Sequence, residues 1–136
     1  MNITITVQSI VRAPIVKVWE CWTKPEHITH WAFASETWEA PNAENDVRVG
    51  GTFKTRMQAK DGSAGFDFEG TYTAVQEHKL IEYDFGDRHA SVGFEETSDG
   101  VNVIETFDPE SENSIEMQRA GWQAILDNFK HYVEQN

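Results

Sequence analysis

In the run VNVIETF, residues 101–107, Glu105 shares a strand face with Val103 and Phe107, so the pattern could bury this acid. An inward carboxylate is the mark of an acid–base enzyme. Without a partner its pKa would be raised, so the expected arrangement is an ion pair, with Arg56 or Arg48 as the partner. Asp67 and Glu69 alternate opposite Phe66 and Phe68 and are expected to face solvent. PEHITHW sets His27 and His30 three apart with no third ligand at useful spacing, which reads as a solvated pair and not a metal site. Cys21 lies with Val18 and Trp22 on an apolar face, where a thiol is inert. There is no serine elbow, and VGGTF lacks the lysine and following helix of a phosphate loop. Gly50 and Gly51 read instead as a turn or bulge that bends the next strand. No catalytic residue set and no cofactor is expected, and the balance is against an enzyme.

The aromatic residues are the stronger functional feature. On pleated strands Phe66, Phe68 and Tyr72 share a face, as do Phe53 with Met57 and Tyr83 with Phe85. If these faces point inward they meet a helix stripe of Trp122, Ile125, Leu126, Phe129 and Val133. Trp31 and Trp38 bracket an irregular segment between the helical and strand-rich parts. Two readings stay open, a solid aromatic core or a pocket for an apolar or aromatic small molecule. Tyr and Trp suit a pocket because each carries a polar handle beside its apolar area. The candidate binding residues on the strands are Phe53, Met57, Phe68, Tyr72 and Tyr83, joined by Trp31 and Trp38.

The last helix supplies three more candidates, Gln118, Gly121 and Trp122. At about 100° per residue Gln118 falls roughly 40° from Trp122, inside the apolar stripe, and Gly121 roughly 100° away at its edge beside Tyr132. A buried amide must be hydrogen-bonded, so Gln118 either reaches backbone or solvent, or orients a ligand. Gly121 either allows close approach of a neighbouring backbone or leaves cavity volume, at a cost of ~1 kcal/mol against Ala.

These residues need elements to hold them. NITITVQSIVR (2–12) alternates as a half-buried strand, and two short helices follow, opened by Pro14 and Pro25. Residues 32–51 read as irregular. Strands follow at 52–60, 66–75, 79–85, 88–96 and 101–107, the first pair joined by DGSAG and the last by Ser98-Asp99-Gly100. Asn113 with Glu116 makes a capping-box-like start to the C-terminal helix. At 136 residues, with no repeat or linker, residues 1–136 are read as a single α+β domain. No apolar run approaches the roughly 20 residues of a membrane span. The start lacks the order of a signal peptide, and one cysteine suits a reducing cytoplasm. A net charge of −12 repels phosphate backbones and anionic lipid surfaces, so neither nucleic acid nor membrane insertion is expected.

This layout, with APIVKVWECWTKPEHITHW, ENDVRVGGTF, DGSAGFDFEGTY and FDPESENSIEMQRAGWQAILDNF in order, resembles the activator of heat-shock protein 90 ATPase homologues. That family belongs to the START-like, Bet v 1-like (SRPBCC) superfamily. The resemblance implies a helix grip: a curved antiparallel sheet of about six or seven strands wrapped around the C-terminal helix, with a cavity between them. It implies no single reaction, because members include lipid and hormone binders, polyketide cyclases and co-chaperones. The expected function is the holding of an apolar or aromatic small molecule, with a cyclase- or dehydratase-like enzyme and a chaperone-ATPase-activating stress protein as alternatives. The eukaryotic co-chaperones carry a separate N-terminal domain that makes much of the chaperone contact. This sequence starts at the first strand of the grip, so the family name is expected to describe ancestry better than activity.

Overall fold

Period-two alternation dominates the middle of the chain, and the computed structural model, which describes residues 3–136, resolves it into one antiparallel sheet. The elements are β1 (Ile5–Val11), α1 (Ile15–Thr23), α2 (Pro25–Ile28), β2 (Trp38–Glu39), β3 (Ala43–Asn45), β4 (Thr52–Ala59), β5 (Gly65–Gln76), β6 (Leu80–Phe85), β7 (Arg88–Thr97), β8 (Gly100–Phe107) and α3 (Ile115–Gln135). The sheet order is β1-β8-β7-β6-β5-β4-β2, with β3 also paired to β4. The first strand is shorter than the alternation of residues 2–12 suggested, and Asn2 lies outside the described residues.

The segment expected to be irregular carries the two short strands β2 and β3. Both pair with β4, Trp38 opposite Ala59 and Ala43 opposite Thr55. Two- and three-residue strands leave no readable alternation, so the sheet has eight strands where six or seven were expected. Gly50 adopts φ +84, and a Cβ on Gly51 would strike the Asp46 carbonyl, so the pair forms the tight turn that delivers the chain into β4.

Register fixes which side chains face inward. Ile5, Val7 and Val11 of β1 are buried while their alternates are exposed or half-buried. On β8 the inward row is Val101, Val103, Glu105 and Phe107. A bulge in β5 between Tyr72 and Ala74 resets the alternation, so that both Tyr72, opposite Tyr83, and Val75, opposite Ile81, join the inner face. Gly70 lets the Phe53 ring lie across β5, because a Cβ there would come within 2.9 Å of that ring.

Helix α3 begins one residue later than the sequence suggested. Ser114, not Asn113, is the N-cap, and its hydroxyl accepts the Met117 N–H at 3.1 Å. Ser114 already has the extended backbone a cap needs, φ −63 and ψ 155. The helix buries Leu126, Phe129 and Val133 completely and leaves Trp122 and Ile125 half-buried. It runs closest to β1 and α1, and the strands at the far end of the sheet curl away from it. Large aromatic side chains bridge that wider gap: the Trp122 ring centre lies 6.1 Å from Phe68 and 6.0 Å from Phe85. No helix among the described residues is long and apolar enough to cross a membrane.

Candidate ligand cavity

The gap between α3 and strands β4–β6 is a cavity of about 380 Å³. Its walls are built mainly from the inward positions of four strands, completed by Arg88 of β7 and by Glu44 and Asn45 of β3. β4 contributes Phe53, Thr55 and Met57, β5 Phe66, Phe68 and Tyr72, β6 Ile81, Tyr83 and Phe85, and β8 Glu105. Trp122 and Ile125 of α3 face them, and Trp22, Ile28 and Trp31 close one end. Exposed Phe66 and Glu44 lie on the rim.

Seven of the ten candidate residues lie on this wall: Trp31, Phe53, Met57, Phe68, Tyr72, Tyr83 and Trp122. Three do not. Trp38 sits on β2 beyond β4 and packs against Phe66, ring centres 6.2 Å apart. Gln118 is buried, as its place in the stripe implied, but it is fully occupied by the loop before α3. Its Oε1 accepts the Glu110 N–H at 2.8 Å, and its Nε2 donates to the Glu110 carbonyl at 3.0 Å and the Asn113 carbonyl at 2.9 Å. Gly121 lies off the wall too. A Cβ there would meet nothing within 4 Å, so neither a close backbone approach nor cavity volume depends on it. Sequence reasoning left out Thr55, although it falls between Phe53 and Met57 on the same period-two face. Ile81, which the alternation groups with Tyr83 and Phe85, lies on the wall as well, whereas the place of Arg88 there only the strand pairing reveals.

The polar groups of the wall differ in how they are served. Tyr72 O–H donates to Asn45 Oδ1, and Asn45 Nδ2 donates to the Thr23 carbonyl at 2.6 Å. That chain ties β5 to β3 and to the end of α1. Burial raises the Tyr72 pKa above the usual phenol value. Glu105 is 5% exposed and has neither an ion-pair partner nor a side-chain hydrogen bond among the described residues. The expected ion pair is absent because both arginines are engaged elsewhere. Arg48 pairs with Asp46 at 2.8 Å in an exposed turn, and Arg56, half-exposed on β4, reaches Asp67 at 3.6 Å. Desolvation pushes the Glu105 pKa from 4.5 to about 8. The carboxyl is therefore mostly protonated at neutral pH. Tyr83 is likewise raised well above the phenol value, first by burial and then by Glu105.

Other chemistry expected of the sequence is placed elsewhere. His27 and His30 are not a free solvated pair. The His27 ring nitrogen lies 2.6 Å from the Tyr132 hydroxyl, and His30 stacks on the Tyr132 ring at 5.5 Å. Asp67 and Glu69 face outward, as the alternation predicts. Cys21 is buried, and desolvation raises its thiol pKa, which keeps it unreactive.

A curved antiparallel sheet holding one long helix, with an aromatic-lined cavity between them, defines a helix-grip protein. The family model described as Activator of Hsp90 ATPase homolog 1-like protein matches residues 12–134, and the chain belongs to that family. It is similar to the solution structure of an AHSA1-like protein from Aeromonas hydrophila, at 42% identity and a TM-score of 0.92, covering 98% of this chain and 93% of that one. A protein from Cytophaga hutchinsonii shares 50% identity with a TM-score of 0.80, covering 99% of this chain and 93% of that one. A Chromobacterium violaceum protein shares the fold at 22% identity, with a TM-score of 0.85 and 98% of both chains covered. No curated protein matches the sequence.

Proposed function

We propose that this protein binds an apolar, aromatic small molecule in the cavity between its sheet and α3, and that it works in the cytoplasm as a single domain of residues 1–136. The observation that carries this reading is the cavity itself: about 380 Å³ walled by Phe53, Phe68, Tyr83, Phe85 and Trp122. A volume of that size falls within the range of ligand pockets, and a mostly apolar wall with a few polar groups is their usual composition. Water held against so apolar a wall finds few hydrogen-bond partners, so its displacement favours an apolar ligand. The test is native mass spectrometry of the protein purified from its own cells, followed by organic extraction. A bound mass that disappears on denaturation supports the reading. Protein that stays at its bare mass, and takes up no naphthalene-sized probe in titration, would refute it.

A second reading, acid–base catalysis of the cyclase or dehydratase kind, is favoured by Glu105, a buried and unpaired carboxyl on the cavity wall with a pKa of about 8. A group that titrates near neutral pH can both give and take a proton. On this reading Glu105→Gln abolishes turnover while leaving binding in place. Chaperone activation rests on the family's name alone, and a chaperone ATPase assay is its test.

A further inference from the structure

Every fully enclosed polar side-chain atom among the described residues has a hydrogen-bond partner. Glu105 and Tyr83 have none for their side-chain oxygens, so those oxygens open onto the cavity that both residues line. They approach it from β8 and β6, with β7 between them presenting Ala90 and Val92 on the same inner face. We propose that Glu105 and Tyr83 form a pair of O–H donors for one acceptor oxygen, so that the molecule held here is an aromatic ketone or similar carbonyl compound. This deepens the binding reading above and rests on it.

The chemistry of the wall favours an acceptor over a cation. A neutral carboxyl and a phenol each offer one O–H donor, and burial keeps both neutral near pH 7. The other ionisable wall groups are Arg88 on β7, Tyr72 on β5 and Glu44 on β3; the lining residues of α1, α2 and α3 carry no charge. Arg88 lies over the Phe85 ring at 4.5 Å and donates through Nε to the Asp108 carbonyl at 2.9 Å. Its positive charge beside Tyr83 opposes an ammonium ligand and assists a partially negative oxygen. Tyr72 already donates to Asn45, so its hydroxyl is not free, whereas the Thr55 hydroxyl on β4 is free among the described residues and can donate or accept beside the pair. Leaving two donors unpaired in a largely apolar site is costly, and one carbonyl oxygen has the two lone pairs to satisfy both.

Three probes of similar size separate the outcomes: 2-ethylnaphthalene, 2-acetylnaphthalene and 2-(aminomethyl)naphthalene, titrated by tryptophan fluorescence. At about pH 6.5 the ketone is expected to bind roughly 10-fold more tightly than the hydrocarbon, the sum of two modest hydrogen bonds. Tyr83→Phe should lose roughly 3- to 10-fold of that preference while leaving hydrocarbon affinity unchanged. Above about pH 9 wild-type protein should lose much of its ketone preference as Glu105 ionises, whereas Glu105→Gln, which keeps an N–H donor, should hold it at both pH values. The pH comparison stands even if Tyr83→Phe does not fold. Equal affinity for ketone and hydrocarbon, or tighter binding of the amine, would overturn the donor pair and leave the cavity reading standing. Failure of all three probes to bind would overturn both.

Discussion

The two ends of the sheet's inner face are built from the same residue types, yet one is closed and the other is hollow. At the closed end Phe129 meets Trp22 and Trp31 edge to face, the two indoles lie tilted on each other, all with ring centres 4.8–4.9 Å apart, and Phe94 packs against Trp19 and Trp22. Several of its polar groups are held by backbone carbonyls. Trp31 Nε1 donates to the Cys21 carbonyl at 2.8 Å, Thr23 Oγ1 to the Trp19 carbonyl at 2.8 Å, and Asn128 Nδ2 to the Trp31 carbonyl at 2.9 Å. At the hollow end Phe53, Phe68, Tyr83 and Phe85 sit 4.9–6.1 Å apart around open space, and Glu105 and Tyr83 have no partner. Aromatic content alone therefore says little about function. The distinguishing sign is a buried carboxyl without a partner, which the closed end does not have.

Mutations can sharpen that contrast. The largest effect belongs to the closed end. Phe129→Ala removes a fully buried ring from between two indoles and should cost about 3–5 kcal/mol, read as a lower urea midpoint.

Next comes the pH dependence set by Glu105. Its folded pKa, about 8, lies above the unfolded value near 4.5, so between the two the native state binds the extra proton. Stability then falls as pH rises through that window, by up to about 1.4 kcal/mol per pH unit, and the full penalty is present above pH 8. Glu105→Gln should flatten the profile, gaining roughly 4 kcal/mol at pH 8 and little at pH 4.5. A parallel fall in both proteins would mean that water entering the cavity already solvates the carboxylate.

Gln118 is the counterpart, a buried polar group with three hydrogen bonds. Gln118→Ala should cost about 1–3 kcal/mol by leaving the Glu110 and Asn113 backbone groups unserved, with no change in probe affinity. The smallest effect is expected at Gly121, where a methyl meets nothing within 4 Å. Gly121→Ala should raise stability by about 0.5–1 kcal/mol through helix propensity, seen as a small rise in Tm.

The fold was legible because long elements repeat their period: seven residues in β1, eight in β8 and 21 in α3 carry their burial pattern on their face. The same rule placed Tyr83, Phe68 and Trp122 on one surface and identified Glu105 as the acid to bury. What it could not reach was partnership between distant strands. Arg56 is on β4 and Glu105 on β8, separated in the sheet by β5, β6 and β7, and only the strand order shows that they cannot pair. Gln118 illustrates a related limit. Helix arithmetic found its side of α3 correctly, but its partners come from the loop at Glu110–Asn113, which has no period to read. Trp38 was misjudged for the same reason, because a two-residue strand at the sheet edge leaves no alternation.

The most direct test of the cavity is an NMR titration of the isotope-labelled protein with 2-acetylnaphthalene. Saturable shifts should concentrate on Phe53, Phe68, Tyr83, Glu105 and the Trp122 indole N–H, with Val18, Val101 and Leu126 unmoved. Shifts that never saturate, or that scatter over exposed residues while Tyr83 and Glu105 stay still, would contradict a ligand site between the sheet and α3.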